Sequence, residues 1–187
     1  MNPKRILIAS WVVVAMLSVP TALFADTNNS NRDAAKASQV ADHLSTLEQQ
    51  AARVSRDADT LLSLTRNHQT SWESHTYYLN NLRHGINDMG RMLAELEKMK
   101  PQACEVEQTA IERARPHLVA LAHETGEAIN LVRPGRRHLR QAEYKETLAD
   151  VSLHADGLYQ VVDTIVDYHN ADDRLQKLEP THSGSEE

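Results

Sequence analysis

Ten histidines in 187 residues are the first sign of chemistry in this chain. Neutral imidazole is a common ligand for zinc, copper and nickel. His68 and His75 are the pair whose spacing matters: they flank the start of one long helical pattern, so both can point into one end of a helical bundle. Glu73 or His138 would be available there as a third ligand. Metal coordination at His68 and His75 is therefore the one site expectation, against the ordinary alternative of two polar side chains satisfying a wet bundle end. A carboxylate-bridged di-iron site needs inward Glu-x-x-His pairs on two helices, and none of the four helical stretches carries one. Cys104, the single cysteine, stands at a helix start with no base beside it in the pattern, which leaves it a simple partly buried thiol. Arg133-Pro134-Gly135-Arg136-Arg137-His138, followed by Arg140, is the one basic cluster. It can dock an anionic partner or lipid head group, or merely complement the carboxyl end of the preceding helix. The aromatics outside the first 25 residues are one Trp and five Tyr with no Phe, too few to wall a large flat cofactor, and no cofactor is expected.

Four stripes of apolar residues must position these groups. In the stretch 70–100, Trp72, His75, Leu79, Leu82, Ile86, Met89, Leu93 and Leu96 recur in alternating steps of three and four. That pattern is one narrow stripe on a helix roughly 45 Å long. Thr70 and Glu73 have capping-box spacing at its start, and Pro101 stops it. The stretch 33–66 carries the same steps through Val40, Leu44, Leu47, Ala51, Val54, Ala58, Leu61 and Thr65. A third helix after Pro101 has a seam of Ile111, Ala114, Leu118, Leu121, Thr125, Ala128 and Val132, with Cys104 and Glu107 in the same register. Pro116 lies within it and predicts a kink near 112–115, and Pro134-Gly135 closes it. The fourth, 140–178, has Leu148, Val151, Ala155, Leu158, Val162, Ile165 and His169 in one register and Tyr168, Leu175 and Leu178 in another, which predicts a stutter near Val161-Val162. No strand pattern occurs. Short connections make neighbouring helices antiparallel, so the fold class is all-α: an up-down-up-down four-helix bundle in which the first and last helices protrude at one end.

The domain organisation follows. Lys4 and Arg5, an apolar run 6–19 and a small-residue ending at Ala25 read as a secretory signal peptide over 1–25. Residues 26–32 are expected to be a flexible N-terminus, 33–179 the bundle and 180–187 a disordered acidic tail. The whole chain has 20 basic and 26 acidic side chains; without Lys4 and Arg5 the basic count falls to 18 and the net charge to −8. Such a chain repels a phosphate backbone, so no nucleic-acid partner is expected. One cysteine allows no internal disulfide, and helix packing must supply the stability. After cleavage no stable membrane span remains, which places the protein in the periplasm or secreted.

Two resemblances add to this. Ser71-Trp72-Glu73-Ser74-His75, the run 108–116 with its Ile-Glu-Arg-Ala-Arg-Pro segment, Ala142-Glu143-Tyr144 and Val166-Asp167-Tyr168 look like a family of exported bacterial helical proteins of uncharacterised role. That resemblance spans about 58–179, implies an exported helical bundle and carries over no site residue. Arg83-His84-Gly85 and Tyr168-His169 resemble words in the periplasmic four-helix haem b cytochromes, which would make His169 an iron ligand. The first helix here has no Met for the opposite face of the iron. The expected role is non-catalytic binding or scaffolding of a protein partner in the cell envelope, with a metal- or haem-binding bundle as the alternative.

Overall fold

In the computed structural model, which describes residues 25–66, 71–132 and 139–178, the chain folds into four antiparallel helices. They are α1 (Ala25–Leu64), α2 (Trp72–Met99), α3 (Glu105–Val132) and α4 (Ala142–Leu178), with a 3-10 turn, Lys100–Gln102, between α2 and α3. No strand occurs among the described residues. Each helix packs against its two neighbours in chain order, and α4 returns to lie beside α1. The result is the all-α up-down-up-down bundle that the stripes require.

The core is made of those stripes. Val40 to Leu61 on α1, His75 to Leu96 on α2, Glu107 to Val132 on α3 and Leu148 to Ile165 on α4 are buried at the expected positions. Cys104 departs from its seam: the helix has only begun there and nothing packs over the thiol, which is exposed instead of partly buried. Its backbone N–H is capped by the Glu107 carboxylate, with Oε2 at 2.7 Å. This is half of a capping box, supplied from the third helical residue.

The helix ends differ from expectation in three places. Ser71, not Thr70, caps α2: its Oγ accepts from the Ser74 N–H at 3.2 Å, and Thr70 lies outside the described residues. A serine is as good a cap as a threonine, so the start moves by one residue. Residues 26–32 are helical in backbone, where a flexible terminus was expected. Once α1 has nucleated, each added residue costs no new nucleation, so polar residues extend it. Finally, the Leu175 and Leu178 stripe is no second seam. Tyr168, Leu175 and Leu178 are 49%, 63% and 76% exposed, while Tyr144, Leu148, Val151, Ala155, Leu158, Val162 and Ile165 continue in unbroken three-four steps, so no stutter is needed. Tyr168 faces away from the seam, since His169 beside it is the residue that meets Glu107 of α3, and for Leu175 and Leu178 length adds to this: α1 and α4 have 40 and 37 residues against 28 in each of α2 and α3. The longer pair has roughly 15 Å more helix than α2 or α3 can run beside.

Pro116 sits inside an unbroken α3. Pro116 and Glu112 both face solvent. The carbonyl that loses its helical donor, four residues earlier at Glu112, can therefore bond to water.

Two glycines separate close approach from empty space. A Cβ on Gly85 would lie 2.5 Å from Val54 Cγ2, so α1 and α2 touch here because Gly85 has no side chain. Gly126 has nothing within 4 Å. Gly126→Ala is expected to stabilise by about 0.5–1 kcal/mol through helix propensity, whereas Gly85→Ala should destabilise by about 1–3 kcal/mol because branched Val54 has little room to turn. Urea unfolding of both variants checks the opposite signs, and Val54→Ala should relieve much of the Gly85→Ala loss.

Candidate functional site

The candidate site begins with His75, in the first turn of α2, which the seam turns inward until the ring is buried. Its Nδ1 lies 2.9 Å from the hydroxyl of Tyr144, itself fully buried in the first turn of α4, and the two rings are 5.6 Å apart and tilted. Nearby, the Trp72 indole N–H donates to the Val132 carbonyl at 3.2 Å, closing α2 onto the end of α3. This end of the bundle is thus tied by polar contacts from three helices.

Burial governs the electrostatics of the pair. It holds the His75 imidazole below the ordinary histidine range and pushes the Tyr144 phenol above the ordinary tyrosine range, so both are neutral at pH 7. One hydrogen bond then satisfies two groups that would otherwise be costly in the core. The unfolded chain protonates His75 near its ordinary value of 6.5, whereas the folded chain does so only at lower pH. Below about pH 6.5 the unfolded state therefore binds more protons, and stability falls as pH drops; above it this group contributes no slope. Urea unfolding between pH 5 and 8 should show this loss, and His75→Gln should remove that part of the slope.

Of the expected metal pair, the structure places His75 on Tyr144, while His68 lies outside the described residues, as do His138 and the basic turn 133–137. Glu73 is exposed on the outer side of α2, about 200° around the helix from His75, so the two do not face one target. No group of three metal-ligating side chains occurs among the described residues. His84 and His123 face solvent as their register requires. His169 is half-buried with Nε2 3.0 Å from Glu107 Oε1. The geometry is not that of a hydrogen bond, and Nε2 has no other hydrogen-bond partner among the described residues.

Sequence reasoning missed two polar ties between α1 and α4. Ser55 Oγ donates to Asp156 Oδ1 at 2.5 Å, and Ser152 Oγ donates to Asp59 Oδ1 at 2.6 Å. Both helices carry Ser-x-x-x-Asp, and antiparallel packing brings the serine of each against the aspartate of the other. The repeated word was a visible signal. Tyr144 was also underestimated, since its place four residues before Leu148 already put it on the seam.

Among the described residues, no helix is long and apolar enough to cross a membrane. The chain matches no protein-family model, and no curated protein and no solved structure shows significant similarity to it.

Proposed function

We propose that the protein is an exported, non-catalytic bundle that binds or scaffolds a protein partner in the cell envelope. The observation that supports this reading is the outward face at the C-terminal part of α4, where Tyr168 and, after the His169–Glu107 contact, Leu175 and Leu178 expose an apolar stripe. Single exposed apolar residues are ordinary, but three at steps of seven and three on one outward face suit helix-to-helix docking. The N-terminal charge and hydrophobicity pattern, and the resemblance to exported helical proteins, support the address. Among the described residues no group of three metal-ligating side chains supports the metal or haem alternative.

The test uses the full chain expressed with its own N-terminus in an exporting bacterial cell. Intact mass beginning at Asp26 in the periplasmic or secreted fraction supports the address; retention of Met1 overturns it. A photo-crosslinking residue at Arg174 should capture one defined envelope protein, and the triple variant Tyr168→Ser, Leu175→Ser, Leu178→Ser should lose that adduct while melting within a few degrees of wild type. An adduct unchanged by the triple variant, or none in wild type, overturns the docking role.

A further inference from the structure

Between α3 and α4 a groove of about 390 Å³ opens to solvent, well separated from the His75 end. Its floor is apolar, with Val106 and Ala110 on α3 facing Val161 and Ile165 on α4. Arg113 and His117, one turn apart on α3, stand at one end, and Gln160 stands across from them on α4. Three features fix the chemistry. First, no carboxylate lines the groove, although acidic side chains outnumber basic ones in the chain, 26 to 20. Second, Arg113 has no ion-pair partner among the described residues: neighbouring Arg115 holds Glu97 and Lys100 holds Glu112. Third, the Thr109 and Thr164 hydroxyls donate back to the carbonyls of Glu105 and Gln160 at 2.8 and 2.7 Å, so the donors left for a ligand are concentrated at Arg113, His117 and Gln160.

His117 is held in place by the backbone opposite. A Cβ on Gly157 would lie 2.5 Å from the imidazole Cε1 and 2.6 Å from Nδ1, so the ring occupies space that only glycine leaves free, and the His154 ring lies 6.1 Å away.

From this arrangement we propose that the α3–α4 groove binds a small amphiphilic monoanion, a free medium-chain carboxylate, with its head on Arg113 and its alkyl chain along the Val106–Ile165 floor. A carboxylate accepts two parallel N–H bonds from a guanidinium, and a groove of a few hundred Å³ with an apolar bed beside polar side chains is of ligand size. The groove adjoins Tyr168, one turn beyond Thr164, but its head group site is Arg113 on α3, so Arg113→Gln tests the groove and Leu175→Ser with Leu178→Ser tests the docking role separately.

The experiment is calorimetric titration of the mature full-length protein with decanoate below its micelle concentration, beside decan-1-ol, acetate and vesicles of phosphatidylglycerol. Saturable one-to-one binding of decanoate is expected, with decanol and acetate at least about tenfold weaker, because each lacks one half of the recognition. Arg113→Gln should weaken decanoate about tenfold or more and Arg113→Lys less, with helical circular dichroism unchanged, since Arg113 is exposed. Gly157→Ala should also weaken it without touching a charge, by displacing the His117 ring into the groove. Absence of saturable decanoate binding, binding unchanged in Arg113→Gln, equal binding of decanol, or binding to the vesicles alone would each overturn the proposal.

Discussion

Leu82→Asp is expected to unfold the protein or to cost more than about 5 kcal/mol of stability. Leu82 is fully buried at the middle of α2, where the stripe faces the other helices. Truncating such a leucine alone costs about 2–5 kcal/mol. The aspartate adds the desolvation of a carboxylate, and the neighbouring seam positions Leu79, Ile86 and Met89 offer it only apolar surface. With ordinary domain stability at about 5–15 kcal/mol, the sum takes most or all of what is available. Circular dichroism and thermal melting of the variant decide it. Asn87→Asp, at an exposed position of the same helix, is the matched control: it adds the same charge and should have little effect.

Tyr144→Ala ranks second, at about 3–5 kcal/mol, because it empties one of the largest fully buried side chains and strips the His75 partner at once. Tyr144→Phe separates these effects. It keeps the ring and removes the hydroxyl, so it should cost about 1–3 kcal/mol, the penalty for leaving the buried imidazole Nδ1 unpaired. Combining Tyr144→Phe with His75→Leu should recover part of that loss, since two apolar neighbours need no hydrogen bond. Urea midpoints of wild type, the two single variants and the double variant complete a double-mutant cycle. A coupling near zero would show that the contact contributes nothing beyond packing.

The seams were legible because a three-four repeat has one geometric meaning: residues such as Leu79, Leu82 and Ile86 share a face whatever the tertiary details. That sufficed for the fold, four helices in the right order, though not for where the first of them begins. Where partners decide, the repeat is silent. Tyr168, Leu175 and Leu178 have helical spacing, yet Tyr168 lies level with Glu107 of α3, which its neighbour His169 touches, and faces outward, while Leu175 and Leu178 come after that contact; spacing along one helix says nothing about which face is covered or where its neighbours stop. His75 could be placed inside the bundle from its register, but the group that meets it is 69 positions away on α4, and only the packing brings Tyr144 there. The α3–α4 groove is less legible still, since it depends on a glycine of one helix lying opposite a histidine of another.

The crossed Ser-Asp ties have a consequence for the C-terminal part of α4. An apolar seam repeating every seven residues is nearly degenerate under translation: sliding α4 along α1 by one heptad would again set leucine and valine against leucine and valine. Ser55 with Asp156 and Ser152 with Asp59 lift that degeneracy, because a slip of one heptad breaks both bonds and sets Ser55 against Ala149 or Asp163 and Ser152 against Ala52 or Arg66, so at most one serine meets a carboxylate again. The two hydrogen bonds thus act as a vernier. They set how far α4 is shifted along α1, and so the position at which Leu175 and Leu178 are held relative to the rest of the bundle.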